Sequence, residues 1–261
     1  MSVAEDAIVL ALHGAVAVLR LNEPKSMNAL SGGIKAAFER LVPKLLDDDT
    51  VRVLLITGTG KAFCAGGDIR NMAERRPIKV RARMQRTHQW SGKLLLSEKP
   101  VVTAINGVAA GAGLSLAMMG DVILASSAAR FKAGFPALGA VPDLGLLYTL
   151  PRAVGMPRAK DMLLCNRELS AEEAAAMGLV SRLVRADRLF DEALAVATGL
   201  ASGPPVSLGL TKSLLRRTYE SGLEAFLESE AVAQAMAFST GDFGEGVDAF
   251  LTKRKATFSG D

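Results

Sequence analysis

Histidine and cysteine are nearly absent from this 261-residue chain, which carries only His13, His88, Cys64 and Cys165. They are scattered, and a zinc cluster, a haem-attachment motif or a disulfide framework is hard to build from them. Aromatic residues are also few, at 5% with a single Trp. Charge of one sign is lacking too: 31 basic against 27 acidic residues leave a net +4, too little to argue for nucleic acid by itself. One segment, residues 101–120, runs for twenty residues without a charge, but it holds Thr103, Asn106, Ser115 and four glycines. It therefore reads as a buried strand–helix unit and not as a membrane span. The start, Met1 to Asp6, is acidic and lacks the basic residues and apolar run of an export signal, so a reducing, cytoplasmic location is the expectation. Any chemistry must then come from carboxylates, hydroxyls or backbone dipoles.

What is present is apolar residue and glycine. Hydrophobic residues make up 49% of the chain and charged ones 22%, the balance of a globular protein with a sizeable core. The 25 glycines suggest backbone placed in tight spaces. Residues 7–12 and 15–22 are β-rich runs on either side of His13-Gly14 and predict a hairpin. Ser31 offers an N-cap for a helix whose Ile34, Phe38, Leu41 and Leu45 recur at helical spacing, with Pro43 placing its last turn in question. The runs 51–57, 101–105 and 121–125 have the character of strands buried on both faces. Strands of this kind alternating with helical stretches predict an α/β core. Ser170-Ala-Glu-Glu173 is a capping-box pattern that Gly178 can close. Beyond it, 188–200, 207–221 and 223–238 read as long helices with no strand between them. The chain divides accordingly into a core over residues 1–200 and a helical part over 201–261.

Six basic residues fall between Arg75 and Arg86. Such runs are most often a solvated face. A contact to an anionic ligand such as a nucleotide phosphate is the second reading, and nucleic acid the third, because no aromatics are interleaved to stack bases.

Two glycine-rich turns stand out. Lys61-Ala-Phe-Cys-Ala-Gly-Gly-Asp-Ile69 follows a buried strand and shows no strand or helix continuation before Ile69. Asn106-Gly-Val-Ala-Ala-Gly-Ala-Gly-Leu-Ser115 leads from a strand into an apolar helical stretch, 114–119. Neither matches a phosphate-binding fingerprint. Each alone suits a tight connection between packed elements. Together they could aim two N–H groups at one oxygen, as an oxyanion hole does.

These turns, with Asp121-Val-Ile-Leu-Ala125, Gly139-Ala-Val-Pro-Asp143, residues 21–30 and residues 245–254, resemble the enoyl-CoA hydratase/isomerase (crotonase) family in the family's own order. The resemblance implies an α/β crotonase-like spiral of ββα units with a C-terminal helical part used in trimerisation, and a homotrimer or a hexamer made of two trimers. It implies an acyl-CoA thioester as substrate, with coenzyme A entering as part of the substrate, no separate cofactor or metal, and neither a membrane nor a nucleic-acid partner. The thioester oxygen would lie between the amides of Gly67 and Ala112. Lys25 and Met27 would fall along the coenzyme A path. Ala65, Gly66, Asp68 and Ile69 would lie against its adenine and pantetheine parts.

The reaction depends on side chains around the enolate. Family hydratases use two glutamates, and the corresponding positions here hold Ser115 and Phe135. A serine hydroxyl is a poor base, and Phe135 can only shape and dry the pocket. Asp143 remains, at a place that resembles the family's enoyl-CoA isomerases, including those of phenylacetate degradation. One base suffices to move a proton from C2 to C4, and burial beside Phe135 and Leu144 would raise its pKa. Following Pro142, Asp143 also suits a turn in which its carboxylate bonds locally. Asp121 better fits a backbone-orienting role, Asp68 a structural or nucleotide-facing one, and neither cysteine has a histidine neighbour to activate it. The expected activity is double-bond isomerisation of an enoyl-CoA. Hydration of a 2-enoyl-CoA and a catalytically quiet acyl-CoA-binding role are the alternatives.

Overall fold

The computed structural model describes residues 6–261. Met1–Glu5, most of the acidic start, lie outside the described residues. Strand β1 (Ile8–His13) and β2 (Val16–Leu21) pair antiparallel, and Gly14 at φ +58° makes the turn between them that a side chain would resist. Parallel pairing then adds β3 (Val53–Gly58), β5 (Val101–Ile105), β7 (Val122–Ser126) and β10 (Arg182–Val184), in the order β1-β2-β3-β5-β7-β10. A second sheet of three-residue strands has the order β4 (Ala62–Cys64), β6 (Val108–Ala110), β8 (Arg130–Lys132), β9 (Glu168–Ser170).

Alternation along the main strands sorts their apolar residues onto two faces. Val16, Val18, Val53, Leu55, Val102, Ala104 and Leu124 pack against helix α7 (Leu189–Ala201), whose Leu189, Ala193, Ala197 and Ala201 recur every four residues. Ala17, Leu19, Leu21, Leu54 and Ile56 face the larger core, with α1 (Gly32–Leu46) and the buried faces of α2 (Pro77–Leu96) and α3 (Ala112–Ala117). Ser31 caps α1 by accepting from the Ile34 amide at 3.1 Å. The helix runs through Pro43 for another turn, because the Pro43 carbonyl still accepts from the Asp47 amide at 3.0 Å. Phe38 of α1 and Trp90 of α2 stack at 4.5 Å and 7°.

Helices α4 (Leu146–Val154), α5 (Met156–Leu164) and α6 (Ala171–Ala176) connect core and C-terminal part, and α6 opens on the complete capping box of Ser170 and Glu173. The C-terminal part is α8 (Pro205–Arg217), α9 (Leu223–Phe238) and α10 (Gly241–Leu251). Three glycines in eleven residues hide α10 from a reading by propensity, but the Thr240 side chain caps it. Lys212 ties α8 to the sheet, with its ammonium 2.7 Å from the Asp121 carboxylate and 3.0 Å from the Lys99 carbonyl. Asp121 also accepts from the Val101 amide at 2.7 Å, the backbone-orienting role its sequence position suggested. Among the described residues, no single helix is long and apolar enough to cross a membrane.

Candidate active site

The first glycine turn is not the strandless loop its sequence suggests. Ala62–Cys64 form β4, paired parallel with β6, the strand that enters the second glycine turn. The sheet therefore sets the two turns side by side. A Cβ on Gly66, which sits at φ +109°, would lie 2.9 Å from the Ala110 carbonyl oxygen and 3.6 Å from the Ala112 amide nitrogen. One on Gly111 would lie 3.6 Å from Gly66 Cα, and one on Gly113 would lie 1.9 Å from the Cys64 carbonyl oxygen. Backbone fills these spaces, and glycine is what the approach requires. The Leu30 amide donates to the Gly66 carbonyl at 2.7 Å and the Ala65 amide to that of Met27 at 3.0 Å, so the segment before α1 fixes the first turn. Lys132 fixes the second by accepting from the Gly111 amide at 3.0 Å. Among the described residues neither the Gly67 nor the Ala112 amide has an acceptor. Two adjoining turns thus carry two unengaged donors, the equipment for holding an oxyanion.

Asp143 lies in the connection between the second sheet and α4. Leu144 and Gly145 after it both have positive φ, at +53° and +82°, a tight turn that includes a non-glycine residue in the left-handed region. Among the described residues only two buried polar side-chain atoms have no hydrogen-bond partner: Asp143 Oδ1 and Trp90 Nε1. Oδ1 engages no amide of the turn by hydrogen-bond geometry, although the residue's own amide acts on the carboxylate. Burial pushes the Asp143 pKa above the usual carboxylate range; Lys35, His88, the residue's own amide and Arg83 act the other way without overcoming it. Lys35 belongs to α1, and Arg83 and His88 to α2. Sequence patterning marked none of them as site residues, since Lys35 interrupts no helical spacing and Arg83 is one member of a basic run.

Ser115, on α3, is buried and its hydroxyl reaches only its own helix, at 3.5 Å from the Gly111 carbonyl. Phe135 is buried next to Gly134, on which a Cβ would lie 3.3 Å from the Gly111 amide nitrogen. Asp68 caps the short helical turn Ile69–Asn71 and pairs with Arg70 at 3.0 Å, the structural role its place suggested. Ile69, Lys25 and Met27 are exposed. Asn28 holds the Met27 segment in place and went unread in the sequence: fully buried at φ +55°, it accepts from the Glu23 amide and donates to the Thr59 and Ala62 carbonyls. An asparagine in a turn tolerates this conformation better than other non-glycine residues. The basic run lies in and just before the first turns of α2, where most of its members are exposed and Arg76 pairs with Glu74.

A cavity of about 790 Å³ opens between the core and α8, lined by Leu95, Met118, Met119 and Gly145 among others. Gly145 is two residues beyond Asp143, while neither Gly67 nor Ala112 lines it. Most of its lining is apolar, and Asp121, Lys212, Arg216 and Glu220 also line it.

Residues 12–261 match the family model described as enoyl-CoA hydratase/isomerase. The chain is 37% identical over 249 residues to the 1,2-epoxyphenylacetyl-CoA isomerase of Escherichia coli K12, covering 94% of this chain and 95% of that protein. It is 34% identical to the short-chain-enoyl-CoA hydratase of Clostridium acetobutylicum, covering 95% of each. Its fold superposes on the crystal structure of an enoyl-CoA hydratase from Polaromonas sp. JS666 with a TM-score of 0.91 at 31% identity, over 96% of this chain and 99% of that one. With its paired glycine turns and its spiral of short sheets and helices, the chain belongs to the enoyl-CoA hydratase/isomerase family and is an enzyme acting on acyl-CoA.

Proposed function

We propose that this enzyme shifts a double bond between the β,γ and α,β positions of an enoyl-CoA. The observation that carries the proposal is the buried, unpartnered Oδ1 of Asp143 in a site whose hydratase glutamate positions hold Ser115 and Phe135. The thioester oxygen is bound by the Gly67 and Ala112 amides. Asp143 removes a proton from C2; the C–H electron pair moves toward the thioester carbonyl and produces a dienolate with its charge on the held oxygen. Each fixed donor to such an oxygen contributes about 2.7–4 kcal/mol to transition-state stabilisation. The protonated Asp143 returns the proton at C4, the electrons relax into a C2–C3 double bond, and the carboxylate is regenerated. No water is consumed and no cofactor beyond the substrate's coenzyme A is needed. Phe135 keeps the site dry, and Ser115, buried on α3, positions the thioester by hydrogen bonding. Lys25, Met27, Ala65, Gly66, Asp68 and Ile69 form the coenzyme A side, a role supported by the bonds joining Met27 to Ala65 and Leu30 to Gly66.

The similarity to a protein named an isomerase of a CoA thioester supports this reading. The similarity to a protein named an enoyl-CoA hydratase favours water addition to a 2-enoyl-CoA as the second reading. Incubation of a 3-enoyl-CoA with wild type and with Asp143→Asn separates them. The proposal expects 2-enoyl product from the wild type and a loss of about 10²–10⁴-fold in the variant, the usual contribution of a general base. Undiminished product from Asp143→Asn refutes the assignment. Rapid hydration of crotonyl-CoA with no isomerisation supports the second reading, and binding without turnover of either substrate marks a catalytically quiet member. The exposed apolar residues of α8 to α10, among them Leu215, Tyr219, Leu223 and Phe250, support a homotrimer or hexamer.

A further inference from the structure

The Ala112 amide opens α3, and Gly111 before it, at φ +54°, decides where that amide points. Gly111 has no side chain by which to be fixed, so its neighbours must hold it. Its own amide donates to the Lys132 carbonyl at 3.0 Å, where β8 ends. The next two residues, Ala133 and Gly134, lie against it. A Cβ on Gly134 would be 3.3 Å from the Gly111 nitrogen and 3.6 Å from its Cα, and one on Gly111 would be 3.8 Å from the Ala133 carbonyl oxygen. Backbone packed this closely passes a displacement of Gly134 on to Gly111.

Gly134 lies two residues beyond β8 and is held from another element. Its amide donates to Asn166 Oδ1 at 2.7 Å, the short end of the range for an N–H···O bond. Asn166 sits in the connection between α5 and β9. The antiparallel register of β8 and β9, with Lys132 opposite Glu168, extends to Asn166 opposite Gly134. There the chain has left the extended conformation, since Asn166 has φ +52°. Its side-chain oxygen does for the Gly134 amide what a strand carbonyl does in a ladder. Asparagine tolerates the left-handed backbone, and glycine adopts it more easily still. Glycine would serve the turn at least as well, and what asparagine adds is the oxygen.

We propose that Asn166 is a positioning residue for the oxyanion hole: through Gly134 it holds Gly111 in place and keeps the Ala112 amide aimed at the thioester oxygen. The same bond fixes the residue before Phe135. The inference rests on the reading of the Gly67 and Ala112 amides as the donors to that oxygen. A donor's bond strengthens as charge collects on the oxygen, so the loss of its aim falls on kcat more than on KM.

The test compares wild type, Asn166→Gly and Asn166→Asp in 3-enoyl-CoA isomerisation. Asn166→Gly removes the acceptor and relieves the backbone, whereas Asn166→Asp keeps an acceptor oxygen in the same place. Asn166→Gly should lower kcat by about 10–100-fold with KM within about twofold, as a small misplacement of a catalytic donor does. Asn166→Asp should stay within about threefold of wild type, the bond to Gly134 being kept. A turn role predicts the opposite order, so Asn166→Gly as active as Asn166→Asp, or a change confined to KM, overturns the proposal. Asn166→Ser, whose hydroxyl oxygen is one bond short of the Oδ1 position, replaces the glycine variant if that one does not fold. In parallel, the carbonyl carbon of bound [1-¹³C]butyryl-CoA, a saturated thioester that cannot isomerise, reports the polarisation by the two amides. Its NMR signal should move downfield on binding to wild type and to Asn166→Asp, and by less on binding to Asn166→Gly. No movement in wild type fails the oxyanion-hole reading itself, whereas equal movement in wild type and Asn166→Gly removes Asn166 alone.

Discussion

A carboxylate oxygen buried without a partner costs stability, and Asp143 keeps one. Because its pKa in the fold is above the usual range, the native state holds this proton more tightly than the unfolded chain does. The penalty is absent below the unfolded pKa of about 4 and grows as pH rises through the raised value in the fold. Asp143→Asn should therefore be the more stable protein at neutral pH, by about 1–3 °C in Tm, with the advantage vanishing near pH 4. Parallel thermal melts at neutral and acid pH check this, and a variant less stable at neutral pH would point to a structural role. Cys64 illustrates the opposite situation, where burial has no function to serve. Desolvation pushes its thiol up to about 12, and it should resist a thiol reagent that labels the exposed Cys165. Native protein is expected to titrate one thiol and denatured protein two.

At the scale of elements, short strands set the site. The β4–β6 pairing brings the glycine turns together, and the close approaches at Gly66 and Gly113 leave no space for a methyl group. Gly113→Ala would force a Cβ into the Cys64 carbonyl and should prevent folding, as judged by soluble yield and circular dichroism. Gly66→Ala has a tight contact and an unfavourable φ, and by prying the turns apart should lower kcat/KM by about 10²–10³, the usual loss for one oxyanion donor. Much of this frame was legible in the sequence. The hairpin, the α1 cap, the long buried strands and the Ser170 capping box each follow from local chemistry that their own residues complete. The three-residue strands of the second sheet were not legible, because a period of two cannot show in so few residues. Helix α10 was hidden by its glycines. The candidate site divides the same way: the glycine turns are visible as runs along the chain, whereas Asn28 acts through the Glu23 amide and the Thr59 and Ala62 carbonyls, which only folding brings to it.

At the scale of the whole molecule, the core is anchored to a C-terminal part that keeps much of its apolar surface exposed. Lys212 and Asp121 make one anchor, and Arg52 another, donating to the Ala201 and Phe258 carbonyls at 3.3 and 3.0 Å. Lys212→Ala would leave Asp121 without its cation in a partly buried setting and should loosen α8, seen as faster amide exchange across residues 205–217. Phe250, 83% exposed, and its apolar neighbours on α8 to α10 are costly surface for a monomer. Light scattering should give a mass of three or six chains, and a monomer would rule out the trimer. One carboxylate and two amides should meet on the substrate in a crystal structure with a bound non-reactive enoyl-CoA analogue. The thioester oxygen should lie on the Gly67 and Ala112 amides, with an Asp143 oxygen about 3–3.5 Å from both C2 and C4 of the acyl chain. An acyl chain that turns away from Asp143, or a thioester oxygen bound elsewhere, would contradict it.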